Sequence, residues 1–371
     1  MFIMSIKFNA CNSIKYPSSI YAGINGSVRD VKSVYVGNSN NKAVKVWGED
    51  GGKLICNVTN NSAACKFVSY DGVQWEAYNT NNCSGPGYCF GYTFYDKLDD
   101  NFITIKNRYL CKSKDGVITD DVIQINSLDG ADKIDSNMLT LDGDGLCIFD
   151  DYIFLNHGHC YVYMIKRKQE VSILDNIVEL NNWELLDGLP LQYRTSTGKY
   201  YLNQYYQTTI GNELIFESCG TSKSYYCKLS DMAWKEVDIT GVQYCCFFKG
   251  LFIISASTLK TFLYSTDCIN WQECNFDITG TKITNTRYFK FEILNDRIYA
   301  YSNGYFSYSY DGINWVNPIL MPYTIYDIIY FNKKYIMSCN GGYIYYSSNG
   351  ENFSDYSKIS IVTSSYLCAN K

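Results

Sequence analysis

One outline recurs down the chain and restricts what it can fold into: serine, any residue, aspartate, glycine, two residues, then tryptophan. It is complete in SYDGVQW, ending at Trp75, and in SYDGINW, ending at Trp315. STDCINW, ending at Trp271, carries Cys268 in the glycine position, SSNGENF, ending at Phe353, carries Asn349 for the aspartate, and LSDMAW, ending at Trp234, has lost the glycine. SKDGVIT (Thr119) and LNNW (Trp183) are degenerate copies. Successive terminal positions lie 44, 64, 51, 37, 44 and 38 residues apart. Most of these intervals fit one four-stranded propeller blade, and a repeat of that period implies radially arranged units rather than independent domains. The interval of 64 predicts an insertion near residues 120–145.

The best-preserved units can be parsed strand by strand. In RYFKFEILNDRIYAYSNGYFSYSYDGINW, strands over 287–294, 297–302 and 305–310 are separated by turns at Asn295-Asp296 and Asn303-Gly304, and a fourth strand after Asp311-Gly312 carries Trp315. The next unit repeats the plan as YDIIYF, YIMSC, YIYYS and ENFSDY. Short apolar runs punctuated by Asn, Gly and Asp are the signature of an antiparallel meander. No stretch shows helical periodicity with caps. The expectation is therefore all-β: a propeller of seven, or six, four-stranded blades, with the last strand, KISIVTSSYLC, closing the ring against the first blade and removing an open edge.

The outline has a physical reason. Asp can hydrogen-bond the backbone of its own turn, Gly takes a positive φ cheaply, and the following aromatic ring can fill the space between adjacent blades. The pattern resembles the Asp-box of sialidase-like and related propellers, SxDxGxxW, in the shortened form SxDGxxW of many bacterial and phage propeller proteins. The resemblance implies that Asp71, Asp231, Asp267 and Asp311, with Trp75, Trp234, Trp271, Trp315 and Phe353, are structural, not catalytic. A sialidase would need an arginine triad and a Tyr/Glu nucleophile pair; the chain has six arginines and no Arg-Ile-Pro near the propeller's start.

The first residues read differently. YAGINGSVRDV, from Tyr21 to Val31, is echoed by YVGNSNNKAVKV, from Tyr35 to Val46, giving two hairpin-like units with Asn25-Gly26 as a tight-turn signal. This stretch resembles the YxGxNGxxxxV modules of minor structural and tail proteins of phages and phage-like particles from low-GC Gram-positive bacteria. The implied organisation is an N-terminal module over 1–47 that attaches to other tail or baseplate proteins, and a propeller over 48–371. The implied place of action is the virion or phage-like particle.

Composition narrows the remaining options. A net charge of −5, from 32 basic and 37 acidic residues, offers no footprint for nucleic acid or an anionic membrane. MFIMSIKFNA lacks the features of a secretory signal, and the longest apolar run, YCCFFKGLFIISA, is too short and too interrupted to span a bilayer. The 16 cysteines are scattered without CxxC pairs and inside strand-like runs, which predicts buried free thiols.

No GxSxG, HExxH, P-loop or dinucleotide fingerprint is present, and the acid pairs Asp99-Asp100 and Asp150-Asp151 fall at expected turns. NHGHC holds both histidines, His157 and His159, beside Cys160; two imidazoles on one strand face could help hold a metal, but a polar turn between second and third strands accounts for them. That turn and the inter-blade connectors gather on the face opposite the S-x-D-G turns. Ligand-binding candidates there are His157, His159, Asn303 and Asn340, with Tyr205 and Tyr206 as rings that could stack on a sugar. No cofactor, metal or catalytic residue is expected. The function expected is recognition of a host-surface glycan or protein by a particle subunit; the alternatives are a glycoside hydrolase or lyase, and a purely architectural subunit.

Overall fold

The computed structural model describes residues 21–24, 27–30, 33–37, 43–48, 52–59, 65–79, 92–106, 109–116, 120–124, 146–148, 152–157, 161–185, 192–194, 199–201, 207–210, 213–216, 223–228, 233–359 and 364–369. The chain divides into two compact units, Met1–Gly52 and Lys53–Lys371. In the first, Tyr21–Ile24 pairs with Ser27–Asp30 and Ser33–Gly37 with Ala43–Gly48, each as an antiparallel hairpin.

The second unit contains seven four-stranded antiparallel sheets among the described residues. Sheets II to VII are meanders. They comprise Tyr92–Gln124, Leu146–Leu185, Gln207–Thr240, Val242–Glu273, Lys290–Leu320 and Ile325–Lys358, each with its four strands in chain order. Sheet I is composite: Ser364–Ala369 lies beside Leu54–Thr59, followed by Cys65–Ser69 and Glu76–Asn79. The first strands of sheets IV, V, VI and VII, the Ser364–Ala369 strand and the first strand of sheet II are successive neighbours. First strands therefore line the inside of a ring and fourth strands its rim, which is a β-propeller closed by a strand from the far end of the chain. Antiparallel order also fixes the two faces. The turns between strands one and two and between three and four lie on one, and the two-to-three turns and inter-sheet connectors on the other.

The inner strands read as short, near-continuous apolar runs because sheets pack on both of their faces. Second strands are the most enclosed: Ile298, Tyr299 and Ala300 in sheet VI and Ile336 and Met337 in sheet VII are fully buried. Large rings fill the gaps between sheets. Trp315 packs with Phe262 of the preceding sheet and Phe276 of the connector after it, at ring-centroid distances of 4.8 and 6.2 Å, and Phe353 meets Phe306 edge-on at 5.3 Å. Cys56, Cys111, Cys245, Cys246, Cys268, Cys274, Cys339 and Cys368 are buried. Burial pushes Cys274, Cys339 and Cys368 up to about 12, so they behave as small hydrophobes.

Three details differ from the sequence reading. Trp315 precedes the fourth strand of sheet VI, Ile319–Leu320, and forms only an isolated bridge with Ser309. A short helix, Ile173–Val178, interrupts sheet III between its third and fourth strands, capped by Ser172 Oγ on Asp175 N. At six residues it is too short to show a periodicity. Asp96, from the first strand of sheet II, supplies a second cap by accepting from the N–H groups of Ile173 (2.6 Å) and Leu174 (3.3 Å). Part of the long interval between Thr119 and Trp183 is thus this helical turn, whereas 125–145 lies outside the described residues, as does Thr119. Finally, a hairpin of Gln192–Arg194 with Lys199–Tyr201 separates sheets III and IV.

Candidate functional site

The S-x-D-G turns bind their own serine and acid side chains. Asp311 Oδ1 accepts from the N–H groups of Ile313 (2.8 Å) and Asn314 (2.7 Å) and from Ser309 Oγ (3.0 Å), while Ser309 Oγ accepts from Gly312 N (2.8 Å). Trp315 Nε1 donates to Gly312 O at 3.1 Å. Asp71 and Asp267 repeat the arrangement with Val73 and Gln74, and with Ile269 and Asn270. Asn349 keeps it with Glu351 and Asn352, because its Oδ1 accepts as a carboxylate oxygen would. Cys268 takes the glycine position at φ 62°.

The N–H groups of Asn270 and Ile269 hold the Asp267 carboxyl well below the usual range. At Asp311 burial pushes the other way, but the Asn314 amide and the turn N–H groups outweigh it and leave the carboxyl at about 2. An acid so committed to its own turn is a poor proton donor. Asp231 lies outside the described residues; Trp234 is half-buried on the fourth strand of sheet IV. Trp183 is buried and donates from Nε1 to Ile177 O at 3.1 Å.

The opposite face carries an open groove of about 450 Å³. Three segments from two sheets and their connectors build it: 282–288 entering sheet VI, the Asn303-Gly304 turn between its second and third strands, and 320–324 leading to sheet VII. Asn303 and Gly304 have φ of 31° and 86°, the two-residue turn that a right-twisted hairpin prefers. A side chain at Gly304 would meet the carbonyl oxygens of Met321 and Tyr323 at 3.4 Å, so glycine keeps the floor low. The connector is fixed from both sides: Met321 N donates to Gly304 O (2.6 Å), and Asn340 N donates to Thr324 O (2.8 Å).

Functional groups in the groove are neutral or aromatic: Thr284, Asn285, Asn303 and Thr324, the rings of Tyr288, Tyr305 and Tyr323, and one cation, Lys282. None of its lining residues is an acid. Tyr288 and Leu320 are 53% and 66% exposed, so the groove opens to solvent beside an apolar lip. The Tyr323 ring stacks on Tyr343 at 4.0 Å and 13°. The neighbouring Tyr343 hydroxyl pushes the Tyr323 hydroxyl up to about 12, while Tyr323 and Lys358 draw Tyr343 down. Lys358 Nζ lies 4.7 Å from the Tyr343 centroid.

Of the sequence candidates, Asn303 lines the groove and Asn340 flanks it through Thr324; the Asn340 side chain is turned onto its own loop, accepting from Gly341 N at 2.7 Å. His157 ends the second strand of sheet III, opposite Tyr161, at the equivalent turn of a distant sheet. His159, Tyr205 and Tyr206 lie outside the described residues. Among the described residues no group of three His, Cys, Asp or Glu side chains is placed to hold a metal. Asp99 and Asp100 sit on the opposite face in a strand-one-to-two turn, Asp99 paired with Lys112 and Asp100 accepting from Tyr95 Oη at 2.5 Å. Tyr288, Tyr305 and Tyr323 were not singled out by the sequence, since nothing local marks them among 36 tyrosines.

No protein family and no curated protein matches the chain. Solved structures share its fold at low identity. Apo AztD from Citrobacter koseri aligns over 86% of this chain and 97% of its own at 10% identity and a TM-score of 0.49. The WD40 β-propeller domain of Doa1 covers 77% and 86% at 11% and 0.47, and YCF48 bound to D1 peptide covers 74% and 83% at 14% and 0.45. These likenesses concern architecture alone.

Proposed function

We propose that this chain is a recognition protein without catalytic activity: a subunit of a virion or phage-like tail particle whose propeller binds a glycan or protein of the host surface. The observation that carries this reading is the groove. It joins a fixed aromatic ring and neutral hydrogen-bonding groups, and no acid lines it, whereas glycoside hydrolysis in its usual form needs two carboxyl groups flanking the bond. The resemblance of the N-terminal hairpins to particle modules supports attachment there to other tail or baseplate proteins. A site so small binds weakly, and many copies on one particle would supply avidity.

The test is to incubate the purified protein with intact Gram-positive cells and with their wall polysaccharide, measuring retention and released sugar together. Retention without release is expected. Release of oligosaccharide would replace recognition with glycoside hydrolysis or lyase cleavage, and neither signal on any host would leave an architectural subunit as the better reading.

A further inference from the structure

Resting on that reading of the groove, we infer that its ligand is a saccharide chain, held by a pyranose ring stacked on Tyr323 and by hydroxyl groups bonded to the neutral side chains around it. Tyr323 is half-buried and already stacked on Tyr343, so its remaining face is the one it can present to a ligand in the groove it lines. The platform is held from behind. Tyr343 is itself braced: Lys358 Nζ donates to Tyr343 Oη at 3.2 Å, and Tyr356 packs edge-on against Tyr343 at 5.4 Å. A ring fixed this way loses little side-chain entropy when a ligand covers it.

The polar groups around the platform fit sugar hydroxyls better than a peptide. Asn303, Thr284 and Thr324 offer neutral donors and acceptors, and Asn285, whose Oδ1 accepts from Arg287 N at 3.1 Å, adds amide donors, matching a ligand whose hydroxyl groups do both. A peptide added as a strand would need a free backbone edge. The outer strand beside the groove, Ile319–Leu320, has only two residues, and Met321 N and Thr324 O are already engaged with Gly304 and Asn340. Lys282 is the one cation among the lining residues, and Arg287 lies over the Tyr288 ring at the lip at 5.3 Å.

The backbone supplies clean variants. Asn303 lies at φ 31°, so Asn303→Gly keeps the turn and removes only the amide. Tyr323→Phe keeps the ring, and Tyr323→Ala removes it. The probe is intact Gram-positive cells that retain the wild-type chain, either untreated, oxidised with periodate to destroy vicinal diols, or stripped with protease.

Periodate is expected to abolish retention and protease to spare it. Tyr323→Ala should weaken retention about tenfold or more, with Tyr323→Phe close to wild type. Asn303→Gly should weaken it severalfold at an unchanged melting temperature. Periodate-sensitive retention that survives both Tyr323→Ala and Asn303→Gly would overturn the assignment of this groove. Protease-sensitive, periodate-resistant retention would overturn the saccharide while leaving recognition intact. No retention on any cell tested would overturn the recognition reading, and this inference with it.

Discussion

Removing residues 363–371 takes away the strand that closes the ring. Ser364–Ala369 pairs with Leu54–Thr59 over six residue pairs. About six backbone hydrogen bonds at a net of about 1 kcal/mol each are lost. Leu367 and Cys368, 9% and 7% exposed, contribute about 2–3 kcal/mol more through burial. Leu367 N also donates to Asp327 Oδ2 at 2.8 Å, tying the strand to sheet VII. The sum, roughly 8 kcal/mol, is comparable to the whole stability of an ordinary folded domain, about 5–15 kcal/mol. The loss is also qualitative, because Leu54, Ile55 and Cys56, now fully buried, would sit on an open edge strand. The truncated chain should aggregate on size-exclusion chromatography or bind a hydrophobic dye. A graded companion, Leu367→Ala, should lower stability by about 2–5 kcal/mol in urea unfolding. A monodisperse truncation with the wild-type urea midpoint would refute ring closure as the source of stability.

Gly350→Ala should cost about 3–5 kcal/mol, because its Cβ would stand 2.0 Å from the buried Tyr299 hydroxyl at φ 74°. Gly280→Ala, at φ 80° with nothing within 4 Å, should cost only about 1 kcal/mol. Equal urea midpoints for the two variants would remove the packing argument. Asp327 is half-buried on the innermost strand of sheet VII; burial pushes its carboxyl up to about 6, against the opposing pull of the Leu367 and Ile328 N–H groups and Lys290. The folded state therefore keeps a proton that the unfolded chain releases from about pH 4, so this group's contribution falls as pH rises from about 4 to about 6 and is level above. Stability measured by urea unfolding should drop by about 2–3 kcal/mol across that window relative to Asp327→Asn, and parallel pH profiles would contradict it.

The repeat made the architecture legible, because a turn that satisfies its own polar groups needs its serine, aspartate and glycine in adjacent positions and writes them into a short string. Asn303 was legible for the same reason: two consecutive positive φ angles at a hairpin select Asn-Gly. Features assembled from distant segments were not. The second cap on the Ile173–Val178 helix comes from Asp96, 77 residues before Ile173, and no local pattern connects them. Tyr323 becomes a platform only because sheet VII returns Tyr343 beneath it, and Lys358 only later beneath that. The groove's other walls, 282–288 and 320–324, are connectors whose residues acquire a shared direction only after sheets VI and VII are in place.

The composite sheet also sets a timetable. Thr59 leaves the ribosome about 300 residues before its partner Ser364, which at about 5–20 residues per second is a wait of roughly 15–60 seconds. Throughout that interval Leu54–Thr59 has no neighbour on its inner side, and each later sheet must assemble beside a ring that is still open. Synthesis of this chain is thus a race between translation and self-association, and slower translation or greater crowding of nascent copies should reduce soluble yield more than it changes the stability of the finished molecule.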